Sequence, residues 1–302
     1  MSRTLKPTPT TPPRRPAHPS PADALSPQLL IPGEEGEALN FLAARPVHNV
    51  FMSSLIRDNG FERNLNRGEF YACRGARGEI TGVALLGHHI IFGSQCAETI
   101  EAFARQARER RDAHVILGER ESVERFWSGY ARAGESPVRV QRELLLEQTW
   151  PVAVRQSVPG LRPATLADLT QIATVHAQMA FDESLSNPLE VDPKGFLARL
   201  ARRIEAGRVW VWLEGGRLIF KADIFSDAPR VIYLEGVYVN SAERGKGYGL
   251  RCLSQLSREL LLRAKSLCLL VNERNEPAQA FYRRAGYKLH SHYDTIYLPR
   301  RI

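Results

Sequence analysis

The chain has 302 residues, 43% of them hydrophobic and 25% charged, which is enough for two domains of ordinary size. Forty-one Lys and Arg against 33 Asp and Glu leave a formal net charge of +8. No apolar run approaches the roughly 18 residues that span a bilayer. No apolar stretch follows the first basic residues either, so no membrane span or secretory signal is expected. The basic residues are mostly Arg interspersed with acids. That pattern reads as a surface attracting a phosphorylated small ligand rather than a nucleic-acid platform.

The four cysteines, Cys73, Cys96, Cys252 and Cys268, form no C-x-x-C and no metal-ligand spacing. Cys252 and Cys268 read as small core residues. A reducing, cytoplasmic setting is expected, with no metal.

In chain order, residues 1–30 read as a disordered proline-rich tail. Nine of the nineteen prolines fall within the first 33 residues, and no acid precedes Asp23. The acid-poor start also suits a transit peptide, though the prolines argue against the amphipathic helix that would require. Residues 34–148 read as a first domain. Helices are expected over Glu37–Ala44 and Pro46–Arg57, and strands over Phe70–Arg74 and Ile80–Phe92. Helix Glu98–Arg110, strand His114–Leu117, helix Ser122–Ala131 and strand Val138–Glu147 follow.

Trp150–Gly160 links this stretch to a second domain, 161–302. Thr165 and Asp168 form a capping box that opens a helix to about Met179. Phe181–Asp192 reads as a polar loop, made acidic by Asp182, Glu183 and Glu190. Pro193 starts a helix to Glu205. Val209–Leu213 and Leu218–Phe225 are strands around the Gly215-Gly216 turn. Val231–Val239 is an apolar, β-branched strand. After it, Leu250, Leu253, Leu256 and Leu260 mark one face of a helix. Strand Leu267–Val271, helix Pro277–Ala285 and two short strands near Tyr287–His290 and Thr295–Leu298 complete the order.

Between strand Val231–Val239 and its following helix lie Arg244, Gly245, Lys246, Gly247, Tyr248 and Gly249. The first N–H groups of a helix have no internal partner, and the helix dipole adds positive potential there. Glycines let a ligand approach that backbone closely. Such a loop binds an anion, and a pyrophosphate is the natural guest. The spacing is not that of a Walker loop. A dinucleotide fingerprint needs G-x-G-x-x-G directly after the strand. Here G-x-G-x-G follows five intervening residues, although Asn272-Glu273 ends the next strand where a ribose-binding acid would lie.

The loop resembles that of the GNAT (GCN5-related N-acetyltransferase) superfamily, [QR]-x-x-G-x-[GA], at Arg244, Gly247 and Gly249. A second signature, N-x-x-A-x-x-x-Y-x-x-x-G-[FY], is met at Asn275, Ala278, Tyr282, Gly286 and Tyr287. The resemblance runs from Leu161 to the C-terminus. It implies an α/β GNAT fold, a mixed central sheet flanked by helices. The similar element order of residues 34–148 makes two tandem copies. The first copy is degenerate, because Gly93-Ser94-Gln95-Cys96 stands where the pyrophosphate loop should be. It is expected to be structural or to form one wall of the substrate cleft.

The implied activity is acetyl transfer from acetyl-CoA to a primary amine by direct attack in a ternary complex. The alternative is a coenzyme A-binding regulatory protein without catalysis. By resemblance, Val237, Tyr238 and Val239 pair with the pantetheine arm, and Arg244–Gly249 hold the pyrophosphate. Asn275 contacts the arm or caps its helix. Tyr282 protonates the leaving sulfur or is a core aromatic. Glu235 is the candidate base or the partner of a nearby Arg. His176, His290 and His292 are weaker candidates, the last two expected on one strand face. The acceptor is a small-molecule or protein amine, which the acidic loop tilts toward a cation. A homodimer stays open.

Overall fold

The structure is a computed structural model that describes residues 25–299, except 111, 154–155 and 185–186. The first half runs β1 (Gln28–Leu29), α1 (Glu35–Leu42), α2 (Val50–Asn59), α3 (Arg63–Asn66), β2 (Gly68–Arg74), β3 (Ile80–Gly87), β4 (His89–Gly93), α4 (Ala97–Arg110), β5 (Val115–Glu119), α5 (Arg120–Tyr130) and β6 (Arg139–Gln148). The second runs β7 (Arg162–Pro163), α6 (Leu169–Ser184), α7 (Pro188–Val191), α8 (Pro193–Glu205), β8 (Val209–Glu214), β9 (Arg217–Asp227), β10 (Val231–Val239), α9 (Tyr248–Leu260), β11 (Ser266–Asn272), α10 (Glu276–Arg284) and β12 (Lys288–Tyr297).

All twelve strands form one sheet, in the order β1-β2-β3-β4-β5-β12-β6-β11-β10-β9-β8-β7. The order mirrors about its centre, where the halves trade last strands. β6 pairs with β11 of the second half, and β12 pairs with β5 of the first. β6 and β12 also pair antiparallel along their lengths. The stretches 34–148 and 161–302 therefore do not close separate sheets.

Helices cover both faces. α9 and α10 bury Cys252, Leu253, Leu256 and Leu260 with Phe281 and Tyr282 against β9, β10, β11 and Leu146 of β6. α6 and α8 pack Ile172, Phe196 and Leu200 onto Val209 and Val211. α2 belongs to the first half yet crosses onto the second. Its Val50 and Phe51 join Leu145, Val231, Tyr233 and Cys268 in one cluster. Arg208 clamps Asp58 of α2 with two bonds of 2.5 and 2.8 Å.

Several elements differ from the sequence reading. Residues 1–24 of the expected tail lie outside the described residues, but Gln28–Leu29 pair with Tyr71 and Ala72, and Leu30 is buried. The expected strand Ile80–Phe92 is a hairpin, β3 and β4, turning at Gly87-His88. A Cβ on Gly87 would meet the Arg67 carbonyl at 2.4 Å, and His88 donates its N–H to that carbonyl. The expected loop Phe181–Asp192 contains the end of α6 and all of α7, which Asn187 caps and Pro188 starts. The two expected last strands are one, β12, with a bulge between Leu289 and Ser291.

Candidate active site

β10 and β11 run parallel and pair only from Val231/Ser266 to Tyr233/Cys268. Beyond that pair they separate. On its other side β10 stays paired with β9, but the register slips between Glu235 and Tyr238. Two residues of β10, Gly236 and Val237, stand opposite the single Ala222. This is a bulge, and Gly236 takes the φ of +58° that it requires. The bulge aims backbone groups of β10 into the gap left by β11.

A cleft of about 940 Å³ occupies that gap. It is lined from both faces of the sheet. Asn275, Ala278 and Tyr282 come from α10 and the turn before it, and Phe51 and His176 from α2 and α6. Glu235 and Val237 lie between them. The cleft thus brings together Glu235, Val237, Asn275 and Tyr282, with His176 and Asp182 also in its wall. A second cleft of about 670 Å³, between α2 and α8, shares Glu235 and His176 with it.

Tyr238 and Val239 do not line the cleft; they pair with Lys221 and Phe220. Asn240 caps the short turn Ser241–Glu243 through Ala242 N–H at 3.1 Å. The glycines then divide the work. Gly245 and Gly247 have φ of +80° and +82°, and a Cβ on either would meet nothing within 4 Å. They supply conformation and leave open space over the backbone. Gly249 is a packing glycine, since a Cβ there would lie 2.7 Å from Val239 Cγ2. Lys246 bonds Glu243 at 2.8 Å, and Arg244 lays its Nε on the Val239 carbonyl at 3.2 Å. Tyr248 packs edge-on against Trp212 at the start of α9. Open backbone at the N-terminus of a thirteen-residue helix, together with an unpaired strand edge, suits the pyrophosphate and amide arm of coenzyme A.

Glu235 lines the cleft and accepts from Arg203 Nη1 at 2.7 Å. Asn275 caps α10 through Ala278 N–H at 3.1 Å. Tyr282 is half-buried, its ring edge-on to Phe281 and Tyr287. His176 stands 3.6 Å from Asp223, and burial, reinforced by Lys221, holds its imidazole below the usual range. His290 and His292 do not act together. The bulge of β12 falls at His290, which meets Glu147 at 2.9 Å and His48 at 3.1 Å, whereas His292 meets Glu273 at 3.5 Å. Asp182 lines the cleft, and Glu190 bonds Asn187 on α7. Among the described residues no three His, Cys, Asp or Glu are arranged to hold a metal ion.

Sequence reasoning missed three groups here. Lys221 and Asp223 form a 2.6 Å ion pair, both essentially inaccessible, directly beside Gly236. Their signal was two charges at alternate positions of the apolar run LIFKADIF. Arg203 lies on α8, among exposed arginines that look alike in sequence. Glu143 reaches the cleft on β6, from the other half of the chain.

The first half has a matching gap. β4 and β5 pair in parallel up to Ile91/Leu117 and then part. There the gap is filled: only about 20 Å³ remains, walled by Phe51 of α2 and by Asn49 just before it. A Cβ on Gly93 would meet Asn49 Oδ1 at 2.4 Å, and the Ser94 hydroxyl is spent on the Thr81 carbonyl.

The fold is that of the GNAT acetyltransferases. The model of the acetyltransferase (GNAT) family matches residues 176–287. The protein is of the N-acyltransferase class. Among solved structures it is similar to a Drosophila protein (16% identity, TM-score 0.64, 92% of this chain and 100% of that one). It is also similar to a tandem GNAT protein from the clavulanic acid biosynthesis pathway (14%, 0.57, 92% and 99%). A GNAT-family acetyltransferase from Colwellia psychrerythraea matches at 11%, 0.54, 91% and 100%. At these identities the likeness shows the fold. No curated protein matches the chain.

Proposed function

We propose that the protein transfers an acetyl group from acetyl-CoA to a primary amine, both bound at once in the 940 Å³ cleft. The observation carrying this reading is the parting of β10 and β11 beyond Tyr233/Cys268. It sets Glu235, the Val237 backbone and Tyr282 around one space reached from both faces of the sheet. Acetyl-CoA supplies an activated thioester: the amine nitrogen forms the new N–C bond, and the C–S bond breaks.

The chain's own residues do the rest. Arg244, Gly245, Lys246, Gly247, Tyr248 and Gly249 hold the pyrophosphate. The edge of β10 at Val237, Tyr238 and Val239 holds the arm, with Asn275 fixing α10 beside it. A backbone N–H at the bulge faces the carbonyl oxygen as it gains charge; one such donor is commonly worth about 2.7–4 kcal/mol. Glu235, held in place by Arg203, accepts the amine proton directly or through water. Tyr282 gives its phenolic proton to the departing sulfur.

Thiol release from acetyl-CoA against a panel of amines tests this reading. Tyr282→Phe is expected to lower kcat by about 10²–10⁴, the usual worth of a positioned acid, with coenzyme A affinity unchanged. A wild-type protein that binds the cofactor but releases no thiol with any amine would instead be a binding module.

A further inference from the structure

Glu143 is a carboxylate that the reaction described above does not use. It sits on β6, the strand the first half lends to the second, with its side chain in the wall of the cleft. Two neutral donors orient it: Thr295 Oγ1 at 2.5 Å on Oε2, and Gln141 Nε2 at 3.0 Å on Oε1. None of the ion pairs among the described residues includes it. Arg139, the β6 cation that lines the same cleft, is engaged elsewhere. Its guanidinium lies 4.4 Å over the Tyr297 ring and donates to Gln141 at 2.7 Å. Burial pushes the Glu143 carboxyl above its ordinary range, against the opposing pull of its Thr295 and Gln141 hydrogen bonds and of the Arg139 charge. The other carboxylates of the cleft differ. Glu235 has Arg203, Asp223 has Lys221, and Asp182 accepts from Gln178 at its exposed end.

The register places this group relative to the reacting centre. Glu143 pairs with Asn272 of β11, and β11 separates β6 from β10. Neighbouring strands lie about 4.8 Å apart, so Glu143 is at least about 10 Å across the sheet from the bulge where the amine would react. That is too far to take its proton directly. It is the right place to hold another part of the same molecule.

We infer that Glu143 is a specificity residue that receives a second cationic group of the acceptor, about two strand spacings from the amine that is acetylated. The acceptor class is a dication with separated charges, either a free diamine or a peptide bearing two lysines. The first half of the chain then contributes to substrate choice through β6, while the second carries the chemistry. This rests on the acetyl-transfer reading for the identity of the reacting amine, but not for the binding of the second charge.

The test is calorimetric titration of 1,8-diaminooctane, octylamine and a dilysine peptide into coenzyme A-saturated protein, wild type and Glu143→Gln. The glutamine keeps partners for Thr295 and Gln141 and removes the charge. Wild type should bind one of the two dications about tenfold or more tighter than octylamine, and Glu143→Gln should erase that advantage while leaving octylamine unchanged. Whichever dication shows the preference identifies the source. An unaltered coenzyme A isotherm and melting temperature would show that the variant is folded. Equal binding of mono- and dications by wild type, or an equal loss of both in the variant, would overturn the inference. If coenzyme A itself does not bind, the acetyl-transfer reading fails, while titration of the same amines into the free protein still decides the role of Glu143.

Discussion

Gly236 lies against Asp223 with no room for a side chain. A Cβ there would sit 2.7 Å from Asp223 Oδ2 and 2.8 Å from Lys221 Nζ. The bulge that opens the cleft is thus seated on a buried ion pair, and neither can change without the other. Gly236→Ala should cost about 1–3 kcal/mol for the left-handed backbone alone, with the clash in addition. Denaturant unfolding would show a lower midpoint at unchanged slope. Coenzyme A affinity should fall as the bulge relaxes.

The ion pair itself predicts an asymmetric mutational series. Lys221→Met leaves the Asp223 carboxylate buried without its cation and should cost about 3–5 kcal/mol. Lys221→Met combined with Asp223→Leu removes both charges and should cost less than the single change. A double-mutant cycle on unfolding free energy measures this. Simple additivity would mean that the two charges are not coupled.

His48 predicts the acid response of the seam between the halves. Its ring stands between His290 at 3.1 Å, Tyr293 at 3.1 Å and Glu119 at 3.3 Å, with Arg45 bonded to the same carboxylate. Burial holds the imidazole down at about 4. A histidine lowered on folding binds more protons unfolded. Its contribution is therefore intact above the unfolded value of about 6.5 and is lost as pH falls toward 4. Glu119, lowered by its bonds to Arg45, adds acid loss below the ordinary carboxylate range. Melting temperature should fall between pH 6.5 and 4, and His48→Gln should flatten that window.

Much of the fold around the candidate site was readable in sequence because its parts are local. β10 spans Val231–Val239, α8 spans Pro193–Glu205, and the Thr165/Asp168 capping box is formed, each as the pattern predicts. Glycine spacing marked the loop for the same reason. The exchange of β6 and β12 was not readable. Both are ordinary alternating strands, and nothing within either says which half it will pair with. Glu143 was lost with it, since its place in the cleft follows only from that pairing. The bulge at His290 likewise shifts the alternation by one residue, which periodicity reads as a break between two strands.

The most direct measurement is calorimetric titration of acetyl-CoA into the wild-type protein and into a variant carrying Arg244→Ala and Gly247→Asp. Gly247 has a φ of +82° and faces open space, so an aspartate there places a negative charge where the pyrophosphate would lie. The acetyl-transfer account predicts micromolar binding to the wild type and none to the variant, with both proteins folded. A wild type that does not bind at millimolar acetyl-CoA would make the loop a structural feature only and would contradict the account at its root.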